Sequence, residues 1–142
     1  MGIDRRAARE LALACLHQWD QRGPDDGREL AEVHIRESAP EPRVAAYARQ
    51  LLESYWAEPA AIDERIEVVA EHWRLERMAV IDRNVLRLAV TEMYHVDAVP
   101  PRVTIDEAIE LAKMYSTERS GAFVNGILDR ILADWEREHG AR

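Results

Sequence analysis

The chain has 142 residues, is 47% hydrophobic and 32% charged, and carries a formal net charge of -8. That length suits one domain with a real core, while no apolar run approaches the roughly 18 residues of a membrane span and no charged-then-apolar leader opens the chain, so a cytoplasmic protein is expected. Cys15 is the lone cysteine, which excludes an internal disulfide and reads as a small core residue.

Helical spacing governs the chain from its start. Ala8, Leu11, Ala12, Cys15, Leu16 and Trp19 recur every three or four residues and form one apolar stripe on a first helix. Gly23, Pro24, Asp25, Asp26 and Gly27 read as the turn that ends it. A short helix from Arg28 to Glu37 is expected next, with Leu30, Val33 and Ile35 leaving its buried face open. Pro40 and Pro42 break the chain again, and Pro42 suits the first position of a third helix carrying Val44, Tyr47, Ala48, Leu51, Leu52 and Tyr55. Glu58 and Pro59 end that helix. Ile62, Ile66, Val69, Ala70 and Trp73 repeat the pattern, and Val80, Ile81, Val85, Leu88, Ala89 and Met93 carry it onward. Val99, Pro100 and Pro101 stop this element because proline removes a backbone donor and clashes with the preceding turn. Thr104 and Glu107 then read as a capping box that starts the next helix.

Ser116, Thr117 and Glu118 make a last polar break before a stripe of Phe123, Val124, Ile127, Leu128, Ile131, Leu132 and Trp135. Gly121 and Gly126 fall in the first turns of that helix, where each is worth about 1 kcal/mol less than alanine. Such a pair points to close approach by another group, and for Gly126 tight packing on a neighbouring helix is the expectation. No alternating strand pattern competes with these stripes. The sequence predicts an all-α, single-domain bundle of about seven helices over residues 1–142.

Little in the sequence resembles catalytic chemistry. His17, His34, His72, His95 and His139 are scattered without an i, i+4 pair or a cysteine partner, so no metal site is expected. Cys15 and His17 point to different helix faces, and carboxylate pairs such as Asp106 and Glu110 belong on a wet surface. No glycine-rich phosphate loop is present. No catalytic residue and no cofactor are expected.

The most distinctive stretch runs from Ile81 to Leu132. The segments DRNVLRLAVTEM, VTIDEAIELAKMYSTERSG and FVNGILDRI, preceded near the N-terminus by RRAARELALACLHQW, resemble the bacterial transcription antitermination factor family NusB. The resemblance covers nearly the whole chain in order and is weakest between Arg22 and Pro59. It implies a monomeric or dimeric, all-helical, non-enzymatic RNA-binding protein. Its implied partners are the small-subunit ribosomal protein NusE, the boxA element of nascent RNA, and an RNA polymerase antitermination complex that works notably on ribosomal RNA operons.

By that resemblance, Arg5, Arg6 and Arg9 at the start of the first helix are RNA contacts, with His17 on the same edge three turns later. Ser116, Thr117, Arg119 and Phe123 form a second RNA-binding region, and Glu76 and Asp82 face NusE. Charge distribution is compatible with both surfaces. Residues 1–19 hold three arginines against two acids, whereas residues 20–80 hold eight basic groups against fourteen acids, a surface suited to a basic partner. Ala7 and Ala122 stand where family members often carry basic residues, and His17 stands where tyrosine is common. Weak RNA binding by the isolated chain, and strong dependence on NusE, are therefore expected. Two other readings compete: the NusB-like domain of an RNA cytosine methyltransferase, which needs a cofactor-binding domain not found before Arg142, and a helical protein-interaction scaffold without RNA binding, which fits the acidity. Whether Tyr47, Tyr55 or Trp56 serves core, partner or dimer surface stays open at this level.

Overall fold

The computed structural model describes residues 4–71 and 73–140, so His72 lies outside the described residues. Seven α-helices and a 3-10 turn make up the described fold: α1 (Arg5–Arg22), α2 (Pro24–Ser38), α3 (Pro42–Ala57), α4 (Pro59–Ala70), the turn Leu75–Arg77, α5 (Val80–His95), α6 (Pro101–Tyr115) and α7 (Glu118–His139). Among these residues there is no strand. Prolines open α2, α3, α4 and α6, because the first turn of a helix has no use for the missing amide and the ring presets the backbone angle.

This proline rule corrects two expected boundaries. Pro24 starts α2 rather than closing a turn, which places Gly27 inside the helix on its buried face with Ala31 and Ile35. A Cβ at Gly27 would lie 2.5 Å from the Trp19 Cα, so glycine lets the α1 and α2 backbones touch. Pro101 likewise starts α6 ahead of Thr104, and the expected capping box does not form. Thr104 instead lies buried within the helix, while Glu107 reaches back to α1.

The glycine expectation also changes sides. At Gly121 an added Cβ would meet the Lys113 side chain at 2.7 Å, whereas at Gly126 nothing lies within 4 Å. Gly121 is the packed position and Gly126 is exposed. A further correction concerns Trp73. Glu71 adopts a left-handed backbone (φ 53°) that ends α4 at Ala70, so Trp73 leaves the apolar stripe and stands 54% exposed.

Leu16, Leu51, Tyr55, Ile66, Leu86 and Leu128 belong to one core cluster that draws on all the long helices. Tyr47 and Tyr55 are buried within it and are not surface residues, while Trp56 is half-buried at its edge. At the centre is a charged group. Glu92 of α5 is 1% exposed and accepts from Arg9 of α1 at 3.0 Å, from the Tyr47 hydroxyl of α3 at 2.5 Å and from the Thr104 hydroxyl of α6 at 2.7 Å. Burial, the hydrogen bond to Glu92 and its charge together push the Tyr47 phenol well above its ordinary range.

Removing one partner of such a network strands a buried charge. Glu92→Ala should therefore lower the unfolding free energy by about 3 to 5 kcal/mol in urea titrations. Cys15 provides a second check. Burial and the nearby Glu32 charge push its thiol up to about 12, so it stays protonated at neutral pH. Reaction with a disulfide reagent at about pH 8 should be very slow in the native protein and fast once urea unfolds it.

Candidate nucleic-acid interface

The opening turns of α1 separate the three N-terminal arginines by burial. Asp4 caps the helix by accepting from the Ala7 amide at 3.0 Å, which sets the register of the residues that follow. Arg6 then projects outward, its side chain 56% exposed, and its Nη2 lies 2.7 Å from Glu107 on α6. Arg5 is half-buried with its guanidinium 5.4 Å from the centre of the Tyr47 ring.

Arg9 is different. It is 6% exposed, makes a two-pronged contact with Glu92 and lies 3.8 Å from Glu107, so its cationic head belongs to the core network. Its expected place on an open RNA surface is corrected on that ground: a guanidinium so little exposed, with a carboxylate already in its fork, is committed to Glu92. Arg5, Arg6, Arg9, Val99, Pro100, Val103 and Glu107 are among the residues that line a groove of about 360 Å³.

Tyr115 connects this arginine edge to the break between α6 and α7. Its ring is 49% exposed, and its hydroxyl donates to Glu10 of α1 at 3.1 Å. Sequence reasoning missed it, although an aromatic residue directly before the Ser-Thr break was the available signal. Ser116 follows as an exposed residue, and Thr117 caps α7 by accepting from the Ser120 amide at 3.1 Å. The Ser120 hydroxyl also donates to the Ser116 hydroxyl at 2.9 Å, so the break is ordered by its own hydroxyls. Arg119 is exposed, and Phe123 is half-buried with part of its ring packed on the core. His17 is exposed on α1. Arg6 and Tyr115 each tie α1 to α6, through Glu107 and Glu10, while Ser116 and Thr117 follow Tyr115 at the α6–α7 break and Arg119 and Phe123 lie at the start of α7.

The two acids expected to face a protein partner do not share an exposed surface. The Glu76 side chain is 72% exposed, whereas Asp82 is 8% exposed. The turn that carries Glu76 is held by a charged cluster centred on α5. Arg83 and Arg87 bind Asp20 at 2.7 and 3.3 Å, and Arg87 also binds Asp63 at 3.0 Å. The Arg83 guanidinium approaches the carbonyl oxygens of Leu75, Glu76 and Met78 at 3.4 to 3.5 Å, which fastens the 3-10 turn against α5. Trp73, Arg77, Asp82, Arg119 and Phe123 consequently line one groove of about 450 Å³. Among the described residues, no group of three His, Cys, Asp or Glu side chains is arranged to hold a metal ion, and no helix is long and apolar enough to cross a membrane.

An all-helical bundle with an arginine and aromatic edge at its α1–α6–α7 junction defines a class that comparison resolves further. The profile of the NusB family matches residues 6–133, and the chain belongs to that family. A transcription antitermination protein NusB from Symbiobacterium thermophilum is 41% identical over 146 aligned positions, covering 98% of this chain and 95% of the relative. The solved structure of T. maritima NusB superposes with a TM-score of 0.84 at 41% identity, covering 92% of each chain. A structure of the antitermination factors NusB and NusE in complex with dsRNA superposes with a TM-score of 0.80 at 30% identity, covering 89% of this chain and 94% of that one.

The arginine pair yields a direct test. Arg9→Ala should lower the unfolding free energy by about 3 to 5 kcal/mol, because Glu92 is left buried without its cation. Arg6→Ala should leave the urea midpoint at its wild-type value, since the exposed pair with Glu107 contributes little to folding.

Proposed function

We propose that the protein is a non-enzymatic transcription antitermination factor that binds boxA RNA together with NusE and joins the RNA polymerase antitermination complex, notably on ribosomal RNA operons in the cytoplasm. Membership of the NusB family supports this reading, as does similarity to a structure that holds NusB, NusE and RNA together. The observation that carries it in this chain is the α1–α6–α7 edge. Arg6 supplies an exposed cation, Tyr115 an exposed ring, and Ser116 and Thr117 supply hydroxyls at the α6–α7 break. Single-stranded RNA is recognised by this combination, with phosphates on arginines and unstacked bases on aromatic faces.

Arg5 and His17 extend the edge along α1, and Arg119 and Phe123 extend it along α7. Exposed Glu76, in the stretch of residues 20–80 where acids outnumber basic groups, forms part of the surface offered to basic NusE. Glu107 competes with phosphate for Arg6 in the free protein. That competition, added to the net charge of -8, makes the isolated chain a weak RNA binder.

Titration of boxA RNA with the protein alone and with equimolar NusE tests the reading. Binding should tighten markedly when NusE is present, and the salt dependence of the protein alone should correspond to about two or three phosphate contacts. Equal affinities in the two titrations would sink the cooperative reading. Retention of NusE with no RNA binding in either condition would establish the scaffold in its place.

A further inference from the structure

Between the end of α5, the start of α6 and the last turns of α7 lies a groove of about 420 Å³. Buried Met93, Val96 and Val99 and half-buried Leu132 and Trp135 make much of its lining apolar. Pro100 and Pro101 also line it. Proline has no amide hydrogen, so an occupant is met there by side chains and not by strand pairing.

Charge decides between the possible occupants. Asp97, Arg102 and Glu136 are the exposed charged residues of the lining. Arg102 is held by Asp129 at 3.3 Å, whereas the carboxylates of Asp97 and Glu136 have no partner among the described residues. A nucleic acid would bring its phosphates against two unneutralised carboxylates. A second copy of this chain would bring the same carboxylates and a further net charge of -8. A segment rich in lysine or arginine is attracted instead, and its apolar side chains have Leu132 and Trp135 to pack on.

The place of the groove in the fold points the same way. Val99 and Pro100 line both this groove and the arginine groove of α1, so a cationic occupant stands beside any phosphate held by Arg5 and Arg6. The turn with Glu76 precedes α5, and the groove takes in the other end of that helix, about 24 Å away along its 16 residues. An occupant here leaves the Glu76 surface free.

We propose that this groove docks a basic segment of a second protein, separate from the NusE surface, which sets an apolar side chain against Leu132 and Trp135 and cationic ones against Asp97 and Glu136. The proposal goes beyond RNA and NusE binding and depends on neither.

The probe is a synthetic peptide, acetyl-Lys-Leu-Lys-Lys-Leu-Lys-amide, added to the isotopically labelled full chain and followed by amide and indole NMR shifts. Two control peptides replace every lysine by glutamate or every leucine by serine. Saturable shifts are expected at the Trp135 indole and at the amides of Val96, Val99 and Leu132, with the first peptide alone. Asp97→Asn combined with Glu136→Gln, both at exposed positions, should weaken that binding about fivefold, the effect of losing two exposed ion pairs. Leu132→Ala should weaken it by a similar factor through lost apolar contact. Binding to the wild-type chain should persist when NusE and boxA RNA are present. Equal shifts with either control peptide, or no shifts at all, would overturn the proposal. Shifts confined to α4 and the 3-10 turn would do the same, because the peptide would then be reading net charge alone. If NusE displaces the peptide, the groove is part of the NusE surface and no separate site exists. If the groove signals move with the concentration of the chain alone, the occupant is a second copy and the basic partner is wrong. Should Leu132→Ala fail to fold by circular dichroism, the two exposed substitutions decide the matter. If the peptide binds as expected while boxA RNA and NusE do not, the docking groove stands and the antitermination reading falls.

Discussion

Glu92 is the group on which the rest of the arrangement depends. A carboxylate that is 1% exposed must have its acceptor capacity filled from within the protein, and here the donors come from α1, α3 and α6. Each donor is worth little at the surface and much more in a dry interior, where removal of one leaves the others facing an uncompensated charge. Hydrophobic burial by itself is non-directional, whereas hydrogen bonds to a carboxylate have fixed directions. A charged hub with fixed directions allows one arrangement.

That hub also decides what the N-terminal arginines can do. Arg9 fills the Glu92 fork from inside, and the helical period then turns Arg6 outward, beside Glu107. One arginine secures the helix so that another can be presented at a defined place. The second charged cluster, around Asp20, Arg83 and Arg87, does the same for the 3-10 turn, so the two sides of the proposed RNA surface stand on separate buried ionic supports.

Helix number and core stripes were legible because apolar spacing is a local property and the core reads it directly. Boundaries were less so. Proline marks a helix start as readily as a break, and at Pro24 and Pro101 it did the former. Gly27 looked like a turn residue because nothing in the sequence reveals that the Trp19 backbone lies against it. Trp73 fell on the periodic stripe, yet one left-handed residue at Glu71 ended the helix before the stripe reached it. At the candidate site, Arg6, Ser116 and Thr117 were accessible to pattern reading, and the two last are exposed as a polar helix break implies. Arg9 was misplaced because its fate depends on a carboxylate 83 residues away, one of several such contacts that tie distant segments together. Such long-range pairings leave no periodic trace.

The distance along the chain between Arg9 and its carboxylate has a consequence for biosynthesis. A growing polypeptide emerges N-terminus first, and α1 can settle early on α2, its immediate successor and close backbone neighbour. Glu92 arrives 83 residues after Arg9, and Glu107 follows Arg6 by 101. Until those carboxylates leave the ribosome, both arginines are loose cations on an unfinished hairpin, free to meet any polyanion nearby. Completion of the chain draws one of them into the interior and sets the other beside Glu107, so the basic terminus takes its final arrangement only near the end of synthesis.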